Sequence, residues 1–267
     1  MRIASAVALL AVVGTTPLQA ADPMQPTGKW NVDFGDAHCT ATRTYGVPAK
    51  PITLAFKSAP IGDVMQLTVV RAARGNEMNQ YPGTMTVDRS VPVAVSFLGY
   101  PAGDGKLRVN SLKLTPATFA PIRTATKVRL RASSEIDTTF ALSHMNAVAR
   151  TLDRCVLDLR QVWHVGEHAA KLKQAAVSLQ PLQKLFSSDD YPRVALHNDG
   201  TGTVQAMLLI SEAGRIASCM VTETSGHASL DAQTCLILAR RARFDPAIGL
   251  DGKPAKSATT ARIHWKQ

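Results

Sequence analysis

After residue 21 no stretch is long and apolar enough to cross a bilayer. There is no C-x-x-C pair at zinc-ligand spacing, no phosphate-cradling glycine loop and no G-x-S-x-G nucleophile elbow. These gaps argue against a multi-span helical membrane protein, a cysteine-ligated structural zinc site, a P-loop nucleotidase and an α/β hydrolase. No basic run is interleaved with aromatics, so no nucleic-acid partner is expected. Acidic residues are also short, 20 Asp+Glu against 30 Lys+Arg, which leaves a formal charge of +10. The imbalance sits mainly in residues 22–175, with 19 cations against 12 anions, while residues 176–267 hold 10 against 8. A basic N-terminal part favours an envelope surface, lipid headgroups or an acidic partner.

What is present begins with Met1-Arg2, an apolar run from Ile3 to Val13, Pro17, and small residues at Ala20 and Ala21. This layout predicts a cleaved signal peptide over 1–21 and export to the periplasm. The competing reading is an uncleaved segment anchoring the chain in the inner membrane. The remaining length suits two domains, each with its own core.

Cys39, Cys155, Cys219 and Cys235 are an even set in an apparently exported chain, where disulfides are expected. Four cysteines allow three pairings. The first two lie in one expected domain and the last two in the other, which selects Cys39–Cys155 and Cys219–Cys235.

Short segments rich in β-branched and aromatic residues recur between turn signals: 30–34, 40–45, 52–56, 65–70, 83–87, 91–98, 107–114 and 127–131. Past His144 the period changes. Met145, Val148, Leu152, Cys155, Val156, Leu159 and Val162 recur at steps of three and four, predicting an amphipathic helix from about Ser143 to Trp163. The fold class expected is α+β. A mostly antiparallel β domain over 22–165, closed by its helix, precedes a helical linker over 166–188 and a small domain over 189–267.

In that last segment, Gly214 suits a positive φ and reverses a hairpin between two β-rich runs. Ser229 is the expected N-cap of a helix, with Asp231 facing its free N–H groups. Arg240, Arg241 and Arg243 complement the far end of the helix dipole, and Pro246 cannot continue the helix. In order, the segment carries Tyr191-Pro192, a strand 203–210, Gly214, a strand 215–224, Ser225-Gly226, Leu230-Asp231, Arg243-Phe244-Asp245-Pro246 and a final strand. Their order and spacing resemble the C-terminal domain of TonB-type energy transducers.

The resemblance implies a non-enzymatic protein-binding module without cofactor or metal. Its partner would be a protein, such as the TonB box of an outer-membrane receptor, bound as an added strand. The edge implied is Ala258, Thr259, Thr260, Ala261, Arg262, Ile263, His264 and Trp265. A monomer or a strand-exchanged dimer is expected. The chain departs from full transducers in lacking a retained anchor and a long Pro-rich spacer, so it is not expected to carry force itself.

One enzyme reading competes. His164-Val165-Gly166-Glu167-His168 matches the H-x-x-E-H pattern of a zinc-dependent periplasmic peptidase, which needs both histidines on one helix face. Gly166 weakens a helix at that point. Asp137-Thr138-Thr139 lacks the glycine of an aspartic-protease loop, and His227 and His264 are isolated.

Overall fold

A computed structural model describes residues 22–61, 63–73, 78–102, 105–132, 135–197 and 199–266. The expected signal peptide over 1–21 lies outside the described residues. The fold is α+β, as the sequence predicts, and is built around two hydrophobic cores.

Nine strands form the larger antiparallel sheet: β1 Asn31–Phe34, β2 Cys39–Val47, β3 Lys50–Ser58, β4 Met65–Ala72, β5 Asn79–Val87, β6 Val93–Ala102, β7 Leu107–Leu114, β8 Lys127–Ala132 and β9 Ile136–Ala141. Their spatial order is β1-β2-β3-β4-β7-β6-β5-β8-β9. Along β2, Cys39, Ala41 and Tyr45 point inward and Thr44 outward, the period-two pattern of a half-buried strand. The sheet curls into a half-barrel, and residues 24–27 cross the gap between its margins. Met24 N–H donates to Thr139 O at 2.7 Å, Ala141 N–H to Met24 O at 3.0 Å, and Thr27 N–H to Thr44 O at 2.9 Å. Tyr45 Oη adds a bond to Ala141 O across the same seam.

Between β7 and β8 lie the one-turn helix α1 (Pro116–Phe119) and a 3-10 turn, Ala120–Thr124. Helix α2 (Met145–Val162) follows β9 and buries Met145, Val148, Leu152, Cys155 and Leu159 against the inside of the sheet. Val162, expected in that stripe, is 46% exposed. Trp163 is buried in its place and donates through Nε1 to Asp36 O.

Residues 166–188, expected as a helical linker, are not α-helical. A 3-10 turn (Gly166–Lys171) leads to β10 (Leu172–Gln174) and β11 (Val177–Ser178), then to further turns at Leu182–Leu185 and Ser188–Asp190. Gly166 adopts φ +65°, which ends helical propagation. Strand partners distant in sequence then override the local alanine content.

The smaller unit continues with the short helix α3 (Arg193–His197), β12 (Gly202–Ile210), β13 (Ile216–Glu223) and helix α4 (Ala228–Arg241). It ends with β14 (Phe244–Asp245), β15 (Ala247–Gly249), β16 (Pro254–Ala255) and β17 (Ser257–Trp265). β10 pairs with β15 and β11 with β14, which ties residues 172–178 to the C-terminal segment. The main sheet here has the order β13-β12-β17, all antiparallel.

One face of this sheet, with Val204, Ala206, Leu208, Ala261, Ile263 and Trp265, packs on Leu230, Ile237 and Leu238 of α4. Leu209 on the opposite face joins the half-barrel core, with Met207, Met220 and Ala258 packed around it. Polar contacts reinforce the junction. Lys113 Nζ donates to Val221 O, Lys256 Nζ lies 5.0 Å from the Trp163 ring centroid, and His164 Nδ1 sits 2.8 Å from Lys256 O. Burial pushes the Lys113 ammonium pKa down, opposed by the Asp231 carboxylate.

Candidate functional site

β17 runs beside β12 without a bulge, from Ser257 opposite Ile210 to Trp265 opposite Gly202. Among the described residues no strand pairs with its other side, so it is an edge. The side-chain amide of Gln183 fixes which main-chain groups face outward. His264 N–H donates to Gln183 Oε1 at 2.9 Å, and Gln183 Nε2 donates to His264 O at 3.2 Å. Residue 264 therefore turns both backbone groups away from β12. By the period of the pleat, so do Arg262, Thr260 and Ala258. Thr259, Ala261, Ile263 and Trp265 turn theirs toward β12. Ala261, Ile263 and Trp265 also send their side chains into the α4 core, while Thr260, Arg262 and His264 are exposed.

The motif residues that carry the resemblance hold this edge in place. Trp265 is 4% exposed, donates through Nε1 to Thr234 Oγ1 at 2.9 Å, and meets Phe186 and Tyr191 edge-on at 5.4 and 5.2 Å. Tyr191 Oη in turn donates to Gly200 O, and Pro192 O accepts from Leu196 N–H in the turn that follows. Gly214 has φ +68°, and a Cβ there would lie 2.0 Å from Phe244 O. Phe244 N–H donates to Gly214 O. The hairpin glycine and the Arg243-Phe244-Asp245-Pro246 segment are thus one contact, and only glycine fits it.

The start of α4 differs from expectation. Ser229 is not its N-cap, because the helix begins at Ala228 with His227 in the cap position and no side-chain cap bond. Asp231 instead folds back on the preceding turn, accepting from Ser225 N–H, Ser225 Oγ and Thr224 Oγ1, while Gly226 takes φ +89°. Competition from these three donors draws the carboxylate off the helix terminus. Leu230 is fully buried. At the other end, Arg243 donates to the carbonyls of Arg240 and Ala242, while Arg241 leaves the helix axis altogether.

Arg241 makes a two-pronged ion pair with Asp190, at 2.6 and 2.7 Å, and also donates to Leu185 O. Ser187 N–H donates to the same carboxylate, and Gln233 Nε2 donates to Asp190 O. The Arg241 guanidinium holds the Asp190 carboxyl down at about 2, against the opposing effect of burial. Sequence reading passed over this pair. Ser187-Ser188-Asp189-Asp190 has the S-x-x-D spacing of a capping box, which could have marked it. Nothing in the sequence singles out Gln183.

Both expected disulfides form, Cys39–Cys155 with a Cα separation of 6.2 Å and Cys219–Cys235 with 5.6 Å. The peptidase motif does not assemble. α2 stops at Val162, His164 takes φ +51° and turns to Lys256 O, and His168 Nε2 lies 3.9 Å from Glu167 Oε1. Among the described residues, no three His, Cys, Asp or Glu converge as metal ligands, and no helix is long and apolar enough to cross a membrane.

The half-barrel carries a cleft of about 330 Å³ between α2 and residues Ser58, Ala59, Asp63 and Val64, with Phe119 and Leu152 among its lining residues. Two ion pairs, Arg123–Asp153 and Arg160–Asp63, sit at its rim. At one end of the sheet Arg71 and Arg108 share Glu135, and Tyr81 Oη donates to the buried Asn110 Oδ1. Burial pushes the Tyr81 hydroxyl up to about 12.

Residues 187–267 match the family model described as the Gram-negative bacterial TonB protein C-terminal. No curated protein matches the chain.

Proposed function

We propose that this chain, whose residues 187–267 form a TonB C-terminal domain, is a periplasmic protein that binds an extended peptide by strand addition along the outer edge of β17. The match over residues 187–267 supports reading it as a TonB-like envelope protein associated with transport. The partner proposed is a segment of an outer-membrane receptor. The observation that carries this reading is the side of β17 left unpaired among the described residues, where Ala258, Thr260 and Arg262 offer main-chain groups on a strand held straight by β12 and braced from behind by α4. Main-chain pairing supplies affinity in such a mode, and alternate side chains supply selectivity. The half-barrel takes the place of a flexible spacer, and its basic surface would face the envelope.

Proline at residue 260 tests the reading. It removes an outward N–H, and an edge strand tolerates proline where that N–H faces solvent. A labelled TonB-box peptide should bind the parent chain and lose most of its affinity for Thr260→Pro in fluorescence anisotropy, with the fold intact by circular dichroism. Undiminished binding to Thr260→Pro would remove the edge from the mechanism.

A further inference from the structure

The edge of β17 is not open along its whole length. Gln183, itself exposed, presents its side-chain amide to His264 as a neighbouring strand would present a peptide group, satisfying the N–H and the C=O of one residue. The 3-10 turn Leu182–Leu185 that carries it is fixed from both sides. Leu185 is buried in the α4 core, and its carbonyl accepts from Arg241. The plug is therefore anchored at its base and held to the edge only through its tip.

We infer that Gln183 blocks the C-terminal end of the β17 edge and so sets where an incoming peptide can pair, limiting it to the groups of Ala258, Thr260 and Arg262 unless the amide is displaced. The inference rests on the strand-addition reading above and adds to it a residue that governs register and affinity. A peptide pairing as far as His264 must first break two hydrogen bonds that it then replaces with its own, so that stretch yields no net gain. One that stops at Arg262 meets no competitor.

The charge around this end also selects the peptide. Arg262 and Lys266 are exposed, and neither has an ion pair among the described residues. His264 lies between them, with Nδ1 at 2.9 Å from Thr203 Oγ1. The occupant that fits is an extended peptide with acidic residues on the side facing Arg262.

The test uses the full exported chain and a short fluorescein-labelled peptide in which Glu alternates with Val. Gln183→Ala should keep the fold intact by circular dichroism, with the denaturation midpoint lowered only slightly by the loss of its two bonds. It should bind the probe roughly five- to tenfold more tightly, the equivalent of one to two recovered main-chain bonds. In amide spectra of the labelled protein, the probe should shift Ala258, Thr260 and Arg262 in the parent and extend to His264 in Gln183→Ala. Without peptide, the His264 amide should exchange faster in the variant.

Faster exchange with unchanged probe affinity would reduce Gln183 to a structural tie and overturn the inference. If Thr260→Pro abolishes binding while Gln183→Ala matches the parent, strand addition stands and the plug fails. If no chain binds the probe, or Thr260→Pro binds it as the parent does, strand addition itself fails and the plug's role falls with it.

Discussion

The two sheets treat their margins in opposite ways. In the nine-stranded sheet, residues 24–27 lie in the gap between β9 and the end of β2 and bond to both, while β1 keeps a free outer side among the described residues. The three-stranded sheet ends at β17 with a row of main-chain groups unpaired among the described residues, apart from the pair taken by Gln183. An unused edge is normally protected because it invites other strands. The half-barrel shows that this chain can seal a margin with a segment only four residues long. Against that background, the edge over 258–262 is the margin proposed above for strand addition, and β13 is the other margin of the same sheet. The two cores also differ in what braces them. A crosslink spanning 116 residues pins α2 inside the half-barrel, while the smaller unit has one spanning 16 and a two-pronged ion pair.

That contrast can be broken experimentally, beginning with the crosslinks. On the chain-entropy account, replacing Cys39 and Cys155 together by Ala should cost the half-barrel about 5 kcal/mol, and replacing Cys219 and Cys235 should cost the smaller unit about 3 kcal/mol. Urea denaturation of both double variants checks the order, and equal losses would mean that loop length does not govern the difference. Next, Trp265→Ala empties a site 4% exposed and strips Thr234 of its donor, which should cost about 3–5 kcal/mol. The loss should fall on the smaller unit, with tyrosine exchange in the half-barrel little changed.

Acid provides a subtler separation. The folded Asp190 carboxyl sits near 2, below its ordinary 3.8, so its contribution is fully present above about pH 4. It is lost as pH falls through 3.8 toward 2. Titrating the urea midpoint between pH 5 and pH 2 should show the smaller unit weakening over that window, and Arg241→Gln should flatten the dependence while lowering the midpoint at neutral pH. The smallest effect belongs to Arg129–Asp137, a pair with both side chains over 40% exposed on the outer face of the half-barrel. Arg129→Gln should change stability by less than about 1 kcal/mol, and that little should vanish in high salt.

Most strands of the half-barrel were legible because they alternate. The stretch 107–114 coincides with β7, and the heptad-like steps after His144 locate α2 to within two residues at the start. β9 was passed over because Asp137-Thr138-Thr139 breaks its apolar alternation and the strand is defined by its neighbour β8. Residues 24–27 and 172–178 were invisible for the same reason in stronger form. Segments of two to four residues carry no period: residues 172–178 become strands only through partners in the C-terminal segment, and residues 24–27 form bridges to Phe140 and Tyr45. In the site, β17 and its backing core could be read from alternation and motif order. The placement of Gln183 could not, since one exposed amide in a polar turn looks like any other. Ser229 misled because cap preference ignores the competing donors that draw Asp231 back to Ser225.

Residues 24–27 carry a consequence for how the molecule is made. They lie near the start of the described chain and leave a ribosome early, yet Met24 bonds to Thr139 and Ala141. The half-barrel therefore cannot seal until more than half of the chain has emerged, and Cys39 must wait longer still for Cys155. During that interval residues 24–27 lack their partners on β9, so closure of this unit comes late. The smaller unit makes its longest-range pairings within residues 172–265 and needs no contribution from the first strands to close its own core.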